Sequence, residues 1–423
     1  MGRNLLVAAL AFSLVVSAGA AVFFYRLAAL QAPPPLGDAQ AELEALSSYA
    51  AWHQLVETLR EAGAATVGDG PNGAPTEQDA IDRFQGLLAI LSNTTRMPFS
   101  DDPARPVITT FDLQPALTKI GGNSPDAEYH GFTVSPDYTY RLTGRRSRAP
   151  FSNVQVQSMR FDPIAMRPSI SLASSLRADE IRYDEDDRFE ILIARTRPAG
   201  WDGDFLAMDD DSFNVTVREY HHDLEAEGDP DLEVEVIGPV PPPERLTDEV
   251  VAARLQRVAG MSRFWFSSRD WMPELLEPAA LNTFPDTTRA RGDEEDLGLN
   301  TDVHYRVGAW RLAQDEVLLI EGRFPPETPY WIFQIEDRWH ETADFRSRRV
   351  HLNDATVDRT AGGGFQILVA PRPVDHANAL DTGGRTEGFM SFRWVPVGDG
   401  PGAFDVRTRV AARASLQAAR PSD

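Results

Sequence analysis

Hydrophobicity changes its pattern along this chain, and each change predicts a different kind of element. Leu5 to Tyr25 is an uncharged, predominantly apolar run. At about 1.5 Å per residue it spans roughly the 30 Å of a bilayer core. It also exceeds the apolar core of a signal peptide, which is about 7–15 residues. Ala18-Gly19-Ala20 offers a cleavage site, yet Ala21 to Tyr25 carry the hydrophobic stretch past it. The expectation is an uncleaved single-pass signal anchor over residues 1–26, with a cleaved signal peptide as the alternative. Arg3 favours an inside N-terminus, which places the remainder on the periplasmic side of a bacterial inner membrane.

Beyond the stiff Pro33-Pro34-Pro35 spacer, the apolar positions recur near helical spacing. Leu43, Leu46, Ala50, Trp52, Leu55, Val56 and Leu59 form one stripe. Ala80, Ile81, Phe84, Leu87, Leu88 and Leu91 form another, after a capping-box-like Thr76-x-x-Asp79. Residues 27–98 therefore read as stalk helices and linker. These helices either pack on the neighbouring domain or present a face to a partner in a membrane-proximal stalk.

From residue 99 to 240 the period becomes two. Tyr138, Tyr140 and Leu142 alternate with polar residues, as do Phe213, Val215 and Val217, and Leu232, Val234 and Val236. Short strands separated by turns and not by helices predict an antiparallel β-sandwich or jelly-roll-like unit. Residues 241–302 read as a helical connector, with Thr247 as the cap before Asp248 and Glu249. A second unit of the same kind spans 303–410. Its strands are predicted at His304–Leu312, Glu316–Phe324, Tyr330–Asp337, Phe365–Ala370, Gly388–Val395 and Ala403–Arg409. No short repeat appears, but the two β units could be distant structural copies. A tail follows at 411–423. The fold class is thus mainly β.

Charge narrows the function. Forty-one basic against 64 acidic residues give a formal net charge of −23, which repels nucleic acid and anionic lipid alike. With no cysteine, disulfides, thiolate chemistry and Cys-ligated metal are excluded. The Gly-rich segments lack the order of a phosphate loop, and no GxSxG elbow occurs.

A signature spread over Tyr330-Trp331, Asp337, Arg349-Val350-His351-Leu352-Asn353, the strand after Gly362, Asn378-x-Leu380-Asp381-Thr382-Gly383 and Gly388 to Arg393-Trp394 resembles the bacterial domain-of-unknown-function family number 1214. Asn123-Ser124-Pro125-Asp126, Tyr140 to Arg146 and Val217 to Asp223 give the N-terminal half a looser similarity to the companion family number 1254. The resemblance covers about residues 107 to 395 and implies two β-sandwich units. It implies no reaction. Ala379 stands where the family often has Trp, and the anchor and stalk helices fall outside the similarity.

Candidate chemistry lies in that same stretch. His351 and Asn353 read as one loop and Asn378 and Asp381 as another, with Asp337 and Arg393 close by. His351, Asp381 and Asp337 are the candidate acid–base groups, and Asn353, Asn378, Arg393 and Tyr330 the candidate ligand-binding set. The competing reading makes the Asn and Asp side chains turn caps and pairs Arg393 with a buried carboxylate. In Tyr220-His221-His222-Asp223 the two imidazoles point to opposite faces of a strand and cannot readily share one metal. His222 with Asp223, His304, His340 or His376 could form a site on folding, but no metal-ligand spacing supports one, so no metal and no cofactor are expected. Asp184 to Asp187 and Asp209 to Ser212 read as solvated turns, and Arg145-Arg146 as a patch paired with neighbouring acids.

Two functions follow. The first is a membrane-tethered envelope protein of unassigned activity that binds a polar small-molecule or carbohydrate-like ligand, or assembles with an envelope protein. The alternative is an envelope enzyme with His351 and Asp381 as its acid/base pair.

Overall fold

The structure is a computed structural model describing residues 38–68, 73–100, 102–111, 121–162, 167–223, 230–267, 273–285, 302–343, 345, 347–397 and 404–418. The expected anchor and the Pro33-Pro34-Pro35 spacer lie outside them. Among the described residues, no helix is long and apolar enough to cross a membrane.

Among the described residues, four α-helices precede or link the β units: α1 (Asp38–Glu44), α2 (Ser47–Thr66), α3 (Glu77–Ser100) and α4 (Asp248–Phe266). The cap signals act as their chemistry dictates. Thr76 Oγ1 accepts the Asp79 amide at 3.1 Å and donates to its carboxylate at 2.5 Å. Thr247 accepts from the Val250 amide. Ala51 and Leu55 of α2 pack on Ala252, Leu255, Val258 and Ala259 of α4, and Leu87 and Ile90 of α3 meet Phe266. The buried faces differ from the predicted stripes. Trp52, Val56, Ile81, Phe84 and Leu88 remain exposed, because each helix carries apolar residues on two faces and α4 covers only one. Nor do these helices stand off as a stalk. Asp82 of α3 holds Arg385 in a two-pronged pair at 2.7 Å, and the Trp339 indole donates to the Asp79 carbonyl at 3.0 Å.

The first β unit comprises β1 (Thr109–Phe111), β2 (Ala127–Thr133), β3 (Thr139–Arg145), β4 (Phe151–Asp162), β5 (Arg167–Arg177), β6 (Arg188–Ala194), β7 (Asp204–Ala207), β8 (Ser212–Tyr220) and β9 (Glu233–Ile237). The second comprises β10 (His304–Arg311), β11 (Glu316–Arg323), β12 (Trp331–Glu336), β13 (His351–Asn353), β14 (Phe365–Ala370), β15 (Ala379–Asp381), β16 (Glu387–Trp394) and β17 (Asp405–Ala412), followed by the short helix α5 (Arg413–Ala418). Each unit is a two-sheet sandwich. Sheet β1-β2-β8-β4-β5 faces β7-β6-β3-β9, and β10-β16-β12-β13 faces β15-β14-β11-β17. Among the described residues, the pairing is antiparallel except for one parallel pair per unit, β6 with β7 and β14 with β15, a departure from the all-antiparallel expectation.

Adding eight to each strand number from β2 to β9 turns the first pair of sheet orders into the second. The match extends to side chains. Gly144 faces Phe189 across β3 and β6, and Gly322 faces Phe365 across β11 and β14. A Cβ on either glycine would lie 2.8 or 2.9 Å from that ring, so both positions need the missing side chain for the same reason. The two units are structural copies within one polypeptide.

The copies meet through sheets β1-β2-β8-β4-β5 and β10-β16-β12-β13. Ala127, Phe151 and Tyr220 of the first pack on Tyr330, Ile332 and Val395 of the second. The sandwich interiors lie on either side of this seam. In the second interior, Trp331, Phe333, Phe392, Trp394, Phe324 and Phe365 form a continuous aromatic cluster.

Candidate functional site

Most of the predicted site residues are fasteners of this seam. Asp126, just before β2, sits opposite the start of β12 and the strand β13. One of its carboxylate oxygens is 2.9 Å from His351 Nε2. The other accepts from Asn353 Nδ2 at 2.8 Å and from the Tyr330 hydroxyl at 3.3 Å. The Asn353 amide is fully used, since its oxygen also caps the Ala355 and Thr356 amides and its nitrogen reaches the His222 carbonyl. Burial, and then the charge of Asp126, raise the Tyr330 phenol well above its ordinary value.

The seam has the reciprocity of a two-fold interface. Tyr129 faces Arg218 across β2 and β8, and Tyr305 faces Arg393 across β10 and β16. In both pairs the guanidinium lies over the ring, at 5.9 and 5.6 Å. Asp126 of the first unit reaches His351 on β13, and Asp302 reaches Ser175 at the matching position of β5, as well as Asn153. Arg393 donates to the Gly122 carbonyl at 2.5 Å and lies 3.9 Å from buried Glu336. Pairing with a buried carboxylate is the role the competing reading assigns it.

Asn378 and Asp381 have other partners. The Asn378 side chain accepts the Asp358 amide at 2.8 Å and donates to the Asp358 and Gln366 carbonyls. Its counterpart in the first unit, Asp204, accepts the Arg182 amide at 2.7 Å. Both copies thus pin the same turn with an Asx side chain. Asp381 pairs with Arg348 at 2.8 Å at the surface and caps Gly383. His351, Asn353 and Asp381 lie in three-residue strands and not in the predicted loops, and β13 and β15 belong to different sheets.

Asp337 is buried, accepting the Trp339 and Glu341 amides at 2.7 and 3.1 Å through one oxygen. Burial, followed by the charge of Asp82, pushes its carboxyl up to about 6, with Arg385 opposing. The native state therefore binds this proton more tightly than the unfolded chain, whose ordinary value is 3.8. The resulting destabilisation grows as pH rises from 3.8 through about 6 and is complete above that window. Asp337→Asn keeps the accepting oxygen and removes the charge. It is expected to raise the urea midpoint at pH 7 and to flatten stability across the same window; a lower midpoint at pH 7 would contradict this account.

The remaining predicted turns behave as solvated surface. Asp209 caps its own turn through Ser158, Ser212 and the Asp211 amide, and Arg145 and Arg146 lie against Asp231 and Asp187.

Two features lay beyond the reach of sequence reasoning. A groove of about 610 Å³ opens on the first unit between β6, β7 and the turn before β6. Tyr183, Phe189 and Trp201 supply its aromatic surface, and Arg182, Arg188 and Glu190 its charges. Arg146 stacks over Tyr183 at 3.8 Å. The second feature is a cluster of Glu128, His130 and Glu219 at one end of the first sandwich interior. Burial, the largest influence on His130, works to lower its pKa, but Glu128 and Glu219 offset it and hold the imidazole up at about 9. The signal was a strand-spaced Glu-x-His occurring twice, at 128–130 and 219–221. Only the β2–β8 register brings the two together.

A family model described as "Protein of unknown function (DUF1214)" matches residues 124–223. The match lies in the first β unit and not in the second, where the sequence signature places it. The matched stretch holds the Ser124 to Asp126, Tyr140 to Arg146 and Val217 to Asp223 segments likened above to the companion family number 1254, so the model that matches there is that of family number 1214. The fold is shared with a solved but uncharacterised protein from Burkholderia cenocepacia, at 24% identity and a TM-score of 0.77, covering 86% of this chain and 98% of that one. The VPA0106 protein from Vibrio parahaemolyticus is a more distant likeness, at 10% identity and a TM-score of 0.45 over 78% of this chain and 98% of that one. No protein of curated function matches.

Proposed function

We propose that this is a membrane-tethered protein of the bacterial envelope, anchored through residues 1–26, whose first β unit binds a polar, carbohydrate-like ligand in the Tyr183–Trp201 groove. The observation that carries this reading is the lining itself. Trp201, partly exposed in the groove, offers an apolar ring for the C–H surface of a sugar, and arginine and carboxylate groups around it suit its hydroxyls. The rest of the molecule then serves as a rigid mount, with the seam fixing one sandwich on the other.

Assembly with an envelope partner is the second reading. It is favoured by Tyr49, Trp52 and Val56 on α2 and Ile81, Phe84 and Leu88 on α3, which are exposed at helical spacing. The groove reading is tested by titrating the protein lacking residues 1–26 with neutral and acidic oligosaccharides while following tryptophan fluorescence. Saturable quenching is expected, with Trp201→Ala weakening it at least about tenfold, as loss of one buried contact worth about 1.4 kcal/mol would do. A panel without any saturable response, or a Trp201→Ala protein that binds normally, would remove the groove from consideration.

A further inference from the structure

We propose that Glu128, His130 and Glu219 form a binding site for a divalent first-row transition-metal ion. Glu128 and His130 are two residues apart on β2, so their side chains share one face, and Glu219 lies directly opposite Glu128 on β8. Val217 and Phe132, on that same face, belong to the sandwich core. The cluster therefore occupies the inner end of that core.

The spacing is that of ligands around an ion. His130 Nε2 lies 3.7 Å from the Glu128 carboxylate and 3.5 Å from that of Glu219. These separations are long for hydrogen bonds, which cluster at about 2.7–3.2 Å. They approach the edge of a coordination tetrahedron, roughly 3.3–3.6 Å for ligands about 2.0–2.2 Å from a metal. His221 Nε2 stands at the margin, 4.0 Å from Glu219.

Burial adds a second, independent observation. The Glu219 and His130 side chains are 1% and 5% exposed. Among the described residues, neither Glu219 oxygen nor His130 Nε2 has a hydrogen-bond partner. Buried polar atoms in a folded protein are overwhelmingly hydrogen-bonded, and an ion would satisfy all three at once. The other ring nitrogen, Nδ1, is 3.2 Å from Thr110 Oγ1. Ion binding would displace the Nε2 proton that Glu128 and Glu219 favour. With the Nδ1 proton donated to Thr110, the imidazole would then present its Nε2 lone pair to the cluster, the usual arrangement of a ligating histidine. Two carboxylates match a charge of +2, and imidazole with carboxylate but no thiolate suits zinc, manganese or ferrous iron. Glu128, 30% exposed, gives the ion a route in and leaves room for water.

The second unit shows that the fold does not require this cluster. Equivalent positions there hold His304, Arg306 and Trp394, and Trp394 joins the aromatic core. A carboxylate pair kept around a histidine in one copy and absent from the other, where Trp394 fills the position of Glu219, points to a task other than folding.

The test uses the full-length chain in mild detergent, without a histidine tag, stripped with chelator and dialysed against Zn²⁺. About one equivalent of zinc should remain after gel filtration, and thermal stability should rise with Zn²⁺. His130→Ala and Glu219→Gln should each weaken zinc binding at least about a hundredfold, the upper end of the roughly 10–100-fold loss typical of an outer-shell partner. Because both residues are buried, Glu128→Gln at the exposed edge provides the variant whose folding is least at risk, and it should weaken binding likewise. Zinc that neither remains bound nor alters stability would overturn the proposal, as would undiminished binding in Glu128→Gln.

Discussion

Asp126→Ala is expected to lower folding stability by about 3–5 kcal/mol, the usual loss when one partner of a buried charged cluster is removed. The substitution takes away the acceptor for Asn353 Nδ2 and the Tyr330 hydroxyl and the partner of His351 Nε2. Those groups belong to the second unit and stay enclosed by the seam, where an unmet donor costs about 1–3 kcal/mol. Asp381→Ala is the internal comparison. It breaks only the surface pair with Arg348, and exposed pairs contribute about 0–1 kcal/mol. Urea unfolding of both variants distinguishes the roles. Equal midpoints would mean that Asp126 is not the fastener described here.

Trp331→Ala is expected to cost a similar amount, about 3–5 kcal/mol, through the cavity it leaves. Trp331 is 1% exposed, and its ring lies 5.1 Å from Phe324 and 5.1 Å from Phe365. Three elements, β12, β14 and the end of β11, lose packing together. The same substitution at Trp201 removes a ring from the groove wall and should change stability by less than about 1 kcal/mol, since large losses come from buried sites. Thermal or urea unfolding of the two tryptophan variants side by side checks this. Comparable losses would contradict the assignment of Trp331 to the core and Trp201 to the groove.

How far the fold could be read depended on element length. Phe365–Ala370 is predicted to the residue, and Glu316–Arg323 and Trp331–Glu336 to within one residue at each end, because each strand is long and apolar enough to show its character. Three-residue strands such as β13 and β15 are too short for any period, so their His, Asn and Asp residues look like a polar loop. That resemblance to a rim is what drew attention to His351 and Asp381. In the folded chain His351 Nε2 pairs with Asp126 and the Asp381 carboxylate with Arg348. The copies could only be suspected, because few positions demand the same residue: the Tyr–Arg pairs, the Gly–Phe pairs and the Asx turn pins. The Glu128–Glu219 contact was illegible for another reason. A β ladder joins residues far apart in sequence, and no local pattern encodes which strand lies next to which.

The reciprocal seam has a further meaning. Two identical chains joined in this way would dissociate on dilution and would carry every substitution twice. Here the connector keeps the halves together at a fixed effective concentration, so the interface can be polar and still remain closed. It also releases the halves from identity. One sandwich could fill the end of its core with His304 and Trp394 while the other kept Glu128, His130 and Glu219 there. Fusion makes a molecule that is symmetric in its backbone free to be asymmetric in its chemistry.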